Sequence, residues 1–349
     1  MSLSADQRPT TDPTPLFELF RGAYATELLT AAVAHFDVFG RVVRRPLSVD
    51  QLRAELNLEV RPSIVLTTAL RAMGLLQLNE QSELTLTPVA LEHLAPGANF
   101  HVGDYIGLAA GSPGVLEMVE RLRTNRPAGA DEEQGAAFIY QQGMPSAMED
   151  GQLARHFTLA LAGRAKNVAP VLAEKVPLDG VNTLLDVGGG TGIYSIALLQ
   201  NNPDLKAIVL DRPEVLRLAR QFAADYAVND RLECRPGDMF TDELPRADVM
   251  LLSNVLHDWD VPECRRIVQR CADALPPGGR LLIHDVLLGD ALDGPLPTAL
   301  YSAALFTLTK GRAYSGAEFR GFLTDAGLVP QPVLPTLIHC HVLPGVKPA

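Results

Sequence analysis

The sequence predicts an α/β protein in two parts, a mostly helical N-terminal half followed by a doubly wound parallel sheet. Three observations carry that prediction. From Val181 onward, short apolar runs alternate with helix-period segments, as strand–helix–strand crossovers require. A glycine cluster, "GGGTG", stands directly after the first of those runs. The first hundred residues, by contrast, show helical periodicity and one short alternating stretch. A chain of 349 residues has room for two domains and a connection. The expected divisions are residues 1–100 for the helical part, 101–178 for a helical linker, and 179–349 for the sheet domain.

The opening MSLSADQRPTTDPTP is polar, carries no apolar signal core, and reads as a short flexible leader. From Ala23 to Phe36 the apolar positions recur at helical spacing. At "SVDQ", Ser48 can cap the next helix while Gln51 reaches back to it, the two halves of a capping box. A third helix runs from Pro62 to about Leu76, with Ile64, Leu66, Ala69, Leu70 and Met73 on one side. "LLQLNEQSELTLTP" then alternates around a polar tip and reads as a hairpin. Three helices and a hairpin make a winged helix, which raises the question of DNA binding. The charges speak against it. No lysine occurs before Lys166, and the would-be recognition helix carries only Arg61 and Arg71. Neutralising phosphates needs several cations on one face. Dimerisation or the lining of a substrate site suits this half better.

Between about 100 and 165 the chain is glycine-dotted and helical, with an exposed loop expected at "TNRPAGADEEQG". "QLARHFTLALAGRAKNVAPVLAEKV" reads as a long helix joining the halves. Then "TLLDV" is a buried strand, "IYSIALLQNN" a helix, and "KAIVL" a second strand ending at Asp211. Pro213 opens a helix through Ala227 whose Val215, Leu218, Phe222 and Tyr226 share one face. Strands "LECR", "VMLLS" and "RLLIHDV" follow, the last two separated by a helix from Pro262 to Leu275. After the helix "GAEFRGFLTDAG", "TLIHCHVL" is expected as an antiparallel edge strand.

Composition narrows the partners. Apolar residues make up 47% and charged residues 20%, the balance of a globular protein. No stretch reaches the roughly 18 to 20 apolar residues of a membrane span. The net charge of −11 argues against a nucleic-acid backbone as partner. Cys234, Cys264, Cys271 and Cys340 show no paired spacing, which favours reduced thiols in a cytoplasm over disulfides or zinc.

The glycine loop decides the ligand class. Glycines let backbone approach a ligand closely and turn sharply into a helix. A dinucleotide fingerprint, G-x-G-x-x-G, would place a third glycine at Ser195; the chain instead has G-x-G-x-G at Gly188, Gly190 and Gly192, with Asp186 before it. Asp211 ends the next strand, where a carboxylate can accept two ribose hydroxyls, which fits either NAD or S-adenosylmethionine. "GDMF" ends the third, offering Asp238 to an adenine amino group, with Met239 and Phe240 to sandwich the ring. "HDW" follows the fourth. All four strand ends face one crevice.

With "LLDVGGGTG", "VLDRPEV", "GDMF", "LHDWD" and "LPPGGRLLIHD", the chain resembles the S-adenosylmethionine-dependent O-methyltransferases of the caffeate, acetylserotonin and bacterial polyketide type. The resemblance implies a Rossmann-like class I methyltransferase sheet behind a winged-helix dimerisation domain. It also implies a homodimer in which that domain helps cover the partner's active site. Residue by residue, it implies cofactor contacts at Asp186, Gly188, Gly190, Asp211 and Arg212, with Asp238, Met239 and Phe240 around the adenine. Ser253 stands where plant members place a cofactor-site lysine. Phe157, Leu161, Asp258 and Trp259 are implied to line the acceptor site, Trp259 mainly as a packing wedge.

The resemblance makes His257 the general base. Asp285 replaces a longer glutamate of the plant enzymes, and Ala313 replaces a second. One carboxylate, not two, is therefore expected to steer the imidazole. A histidine near neutral pH can take a phenol proton, and a carboxylate on its other nitrogen fixes the tautomer. Asp260, with Pro262 and Glu263, reads as a D-x-x-E helix cap. No catalytic metal is expected; His284 should face away from Asp285 by the two-residue period of a strand. The expected acceptor is a hydroxylated aromatic or polyketide-like small molecule. Alternatives are a carbon methyltransferase or a non-methylating member of the same fold, and, from another class, a dimeric winged-helix regulator binding a nucleotide.

Overall fold

The computed structural model describes residues 3–126 and 151–349, without the side chains of residues 151–154 and 157. The fold is α/β, a mixed sheet with a helical N-terminal region. The chain forms two compact units, one of Met1–Pro15, Glu133–Leu287 and Gly316–Ala349, the other of Leu16–Glu132 and Leu288–Ser315.

In the second of these, helices Val38–Arg44, Val49–Leu56 and Val60–Ala72 precede the hairpin Leu76–Leu78/Leu84–Leu86. The capping box forms: Ser48 Oγ accepts from the Gln51 amide at 3.1 Å, and Gln51 returns a bond to the Ser48 amide. The segment Ala23–Phe36 is helical, with a π turn over Ala31–His35. Helix Val60–Ala72 is buried nearly all round rather than on one side, because helix Leu296–Leu308 packs on it. Neither of its arginines is offered to solvent as a ligand site. Arg61 is buried and donates to Asn125 and to the carbonyls of Thr309 and Gly311, and Arg71 donates to those of Ala291 and Leu292. The helix therefore presents no basic face.

In the first unit the sheet strands are β1 (Thr183–Val187), β2 (Lys206–Asp211), β3 (Leu232–Pro236), β4 (Val249–Ser253), β5 (Arg280–Leu288), β6 (Leu334–Pro335) and β7 (Cys340–Val346). Their order is β6-β7-β5-β4-β1-β2-β3, parallel from β3 to β5, with β7 antiparallel to β5. "TLIHCHVL" thus starts pairing only at Cys340, after Ile338 and His339 turn through positive φ, and β7 is not the edge, since β6 and Val329–Pro330 pair on it. β5 is buried on both faces beyond Arg280, as a central parallel strand must be, and each Leu or Ile so buried contributes about 1.5 to 3 kcal/mol. Helices α1 (Gly151–Lys175), α2 (Ile193–Asn201), α3 (Pro213–Asp225), α4 (Val261–Ala274) and α5 (Gly316–Asp325) complete the unit. On α3 the expected face, Val215, Leu218 and Phe222, is buried, as is Tyr226 just beyond it.

The leader departs from its expectation. Ala5 is buried and its amide donates to Gln200 Oε1 at 2.6 Å, while Gln200 returns a bond to the Leu3 carbonyl. A polar stretch is anchored here by backbone groups, which composition does not reveal. The loop expected at "TNRPAGADEEQG" lies outside the described residues from Pro127 onward. Among the described residues no helix is long and apolar enough to cross a membrane.

Candidate active site

The strand order reverses between β1 and β4, so their carboxyl ends open a crevice where α/β sheets take ligands. Gly188, Gly190 and Gly192, after β1, all have φ between 60° and 71°. A Cβ on Gly188 would stand 3.1 Å from Val255 Cγ2, and one on Gly192 3.0 Å from Val209 Cγ2. The unheralded glycine is Gly189, whose Cβ would fall 2.6 Å from the Asp186 carboxyl carbon. Asp186 lies fully buried beneath the loop and accepts from Ser195 Oγ at 2.7 Å. Burial pushes its pKa up to about 7, and among the described residues its Oδ1 has no partner.

Asp211 does two things at the end of β2. Its Oδ2 accepts from the Gly190 amide at 2.8 Å and its Oδ1 from the Arg212 amide at 2.7 Å. Each oxygen keeps a lone pair for a ribose hydroxyl. Past β3, Asp238 Oδ1 accepts from the Phe240 amide at 2.7 Å, shaping the turn that carries Met239 and Phe240. Two residues that sequence reasoning missed prop this turn from α4: Arg270 Nε donates to the Met239 carbonyl and Arg266 Nη2 to that of Phe240, both at 2.8 Å. Their spacing of four on a helix was the signal, but it is also that of an ordinary solvated face. The Phe240 ring meets Trp259 edge to face at 4.7 Å, so the buried Trp259 packs as a wedge behind this turn.

After β4 the chain turns left-handed at Asn254 (φ 56°) into the 3-10 turn Leu256–Asp258. This swings His257, 5% exposed, over β5. Its Nδ1 lies 2.5 Å from Asp285 Oδ1, which also accepts from the Val286 amide at 2.8 Å. The carboxylate places the ring proton on Nδ1 and leaves the neutral ring's lone pair on Nε2. Asp258 Oδ1 stands 3.6 Å from Nε2. Burial disfavours the imidazolium, yet Asp285 and Asp258 outweigh it and hold the His257 pKa above its ordinary value. Burial also raises Asp258 to about 6, against the pull of His257.

His284 faces away from this pair. It bonds Ser253 Oγ at 2.8 Å and Thr336 Oγ1 at 3.2 Å, with the Tyr194 ring edge-on, and burial pushes its pKa down to about 3. Ser253 is thus turned to a neutral polar cluster. Leu161 is exposed on α1, and the Phe157 side chain lies outside the described residues. Asp260 is the N-cap of α4, and its carboxylate accepts from the Val261 amide at 2.8 Å rather than from that of Glu263 as the D-x-x-E pattern implied. The buried Ala313 brings no carboxylate, its amide donating to Ser302 Oγ at 3.1 Å.

The glycine loop without side chains, the Asp211 lone pairs and the propped aromatic turn fit an adenosyl group with a short charged tail. Comparisons with known proteins agree. A family model for the O-methyltransferase domain matches residues 126–329. A 3-hydroxy-5-methyl-1-naphthoate 3-O-methyltransferase of Streptomyces sahachiroi is 34% identical over 318 residues, 90% of this chain and 89% of that one. An L-tyrosine C(3)-methyltransferase of Streptomyces lavendulae is 31% identical over 317 residues, 89% and 85% of the two chains. A solved O-methyltransferase family 2 protein of Planctomyces limnophilus, in complex with apigenin, is 47% identical and covers 99% of both chains with a TM-score of 0.89. Fold, crevice and relatives converge: the chain belongs to the O-methyltransferase family and is an S-adenosylmethionine-dependent enzyme.

Proposed function

We propose that the enzyme methylates a hydroxyl of an aromatic or polyketide-like small molecule, with His257 as general base. The observation that carries this is the buried His257–Asp285 pair, 2.5 Å apart at the sheet's ligand-binding end. The cofactor, when bound, supplies a sulfonium methyl for in-line displacement. Asp211 holds its ribose, Asp186, Gly188, Gly190 and Arg212 the loop side, and Asp238, Met239 and Phe240 the adenine. Nε2 of His257 takes the hydroxyl proton as the acceptor oxygen attacks, and Asp285 stabilises the resulting imidazolium. Asp258, beside Nε2, and Leu161 on α1 line the acceptor side.

The protein acts as a homodimer assembled through roughly the first 100 residues, in a winged-helix arrangement. Support comes from apolar side chains open to solvent there: Leu16, Leu19 and Phe20 on the first helix are 70%, 79% and 83% exposed. Four free thiols support a reducing compartment such as the cytoplasm.

The test incubates enzyme and S-adenosylmethionine with a panel of phenols, naphthols and flavones, followed by mass spectrometry and NMR of each product. An O-methyl resonance on one acceptor class is expected. The tyrosine C-methyltransferase relative favours a second reading, carbon methylation, which a C-methyl resonance would establish in place of the first. No methylated product from any phenolic acceptor would overturn both.

A further inference from the structure

A part-buried polar cluster around His284 ends in a cation that the proposed chemistry does not use. Arg164 projects from α1. Its Nη1 donates to Asn254 Oδ1 at 2.8 Å and its Nη2 to Cys340 Sγ at 2.9 Å. Asn254 is the residue in left-handed conformation at the start of the turn that delivers His257. Its other amide atom is spent as well, Nδ2 donating to Tyr194 at 3.2 Å and to Ser253 Oγ at 3.1 Å. Every branch of that side chain is therefore committed.

The hydrogens in this cluster run in one direction. Thr336 Oγ1 donates to the Cys340 carbonyl, so it accepts from His284 Nε2. Nδ1 of His284 must then accept from Ser253, and Ser253 must accept from Asn254. This assigns Oδ1 of Asn254 as the acceptor that faces Arg164. A non-glycine residue at positive φ is strained and persists only where its surroundings over-determine it. Arg164 from α1, together with Tyr194 from α2, imposes that constraint from other elements.

Arg164 has a second effect. Asp285 from β5, Asp258 from its own turn and Arg164 from α1 all act on His257. The two carboxylates favour the imidazolium and the guanidinium opposes it. A base that must be neutral before turnover gains from that opposition.

We propose that Arg164 is a positioning residue for methyl transfer. It clamps Asn254 so that the turn presents His257. The assignment rests on reading His257 as the base, and its test separates the two. The variants are Arg164→Met, which removes charge and clamp, and Arg164→Lys, which keeps the charge but loses the two-pronged contact. The first readout is NMR titration of Cε1-labelled histidines in the full chain with S-adenosylhomocysteine, the His257 signal being assigned by its loss in His257→Gln. In Arg164→Met the His257 midpoint should rise, while Arg164→Lys stays near wild type.

The second readout is kcat against pH on a confirmed acceptor. The ascending limb should move with the NMR midpoint in Arg164→Met. Arg164→Lys should keep the limb but lose about 5- to 20-fold in kcat, through misplacement of the turn rather than through protonation. If Arg164→Met does not fold, the lysine variant decides, and wild-type kcat in it overturns the clamp. An unshifted His257 midpoint in folded Arg164→Met overturns the charge assignment. A midpoint that moves while the rate limb does not would leave Arg164 acting on His257 and instead refute His257 as the base.

Discussion

His257 carries the sharpest chemical demand in the molecule. Replacing it by alanine should cut kcat by about 10² to 10⁴-fold, the usual yield of general-base catalysis, with cofactor affinity nearly unchanged. Turnover should fall as pH drops through a midpoint above the ordinary histidine value, because the flanking carboxylates raise it and the protonated ring cannot act. A pH–rate series on wild type and His257→Ala checks both statements; a rate in the variant close to wild type across the neutral range would remove the assignment. Asp285→Asn should lose less, in the same direction. Asp211 is a different case, for it holds the glycine loop and is proposed to hold the ribose as well. Asp211→Ala should weaken S-adenosylhomocysteine binding by about 10- to 100-fold in calorimetry, the scale of one or two charge-assisted bonds.

The turn Asp238–Phe240 shows how one element supports another. Its carbonyls are held by Arg266 and Arg270, one helical turn apart on α4. Arg270→Ala should raise the dissociation constant for S-adenosylhomocysteine by roughly 3- to 10-fold while leaving kcat at saturation within about two-fold, since it touches neither acceptor nor base. Equal affinities in wild type and variant would show that the turn holds its shape without help from the helix. Elements also differed in how plainly they could be read. The Ser48–Gln51 capping box was legible because both partners lie three residues apart. Helix Val60–Ala72 was not, since its second buried face is covered by Leu296–Leu308, more than two hundred residues away. The apolar period of a helix reports one packed side and is blind to a partner of that separation.

For the whole molecule, two properties follow from surface and burial. The exposed Leu16, Leu19 and Phe20 predict self-association, and light scattering should give twice the 37.6 kDa chain mass. Phe20→Lys together with Leu19→Glu should shift that mass toward monomer without unfolding the sheet domain, as circular dichroism would report. Stability should depend on pH in a defined sense. Asp186 and Asp258 have folded-state pKa values raised to about 7 and about 6, so each binds its proton more tightly folded than unfolded. Their contribution is complete below the unfolded carboxylate range and is lost as pH climbs through 6 and 7. Above about pH 6.5, where His284 is neutral both folded and unfolded and no longer opposes this trend, the cofactor-free enzyme should therefore melt at lower temperature as pH rises to 8. Asp186→Asn should flatten that decline by roughly 1 to 4 kcal/mol in unfolding free energy; an unaltered pH slope would mean that Asp186 keeps its charge when buried.

The sequence by itself determined the strand–helix alternation, the glycine turn after β1, the carboxylates at the ends of β2 and β3, and the helix caps. All of these are local, set by periodicity, backbone freedom or partners a few residues apart. Asp285 opposite His257 was legible only as a carboxylate at the right strand end. Their 2.5 Å approach depends on β4 and β5 pairing in register and on Asn254 turning left-handed. The need for glycine at 189, the arginine props on α4 and the anchoring of the leader through Gln200 were decided by tertiary structure alone. Arg164 belongs with them: on a helix wheel it is one more cation, and only the fold brings it to Asn254 and Cys340, 90 and 176 residues away. Hydrogen bonds and charges act through space over a few ångströms, so a linear pattern records the groups available and folding settles which of them meet.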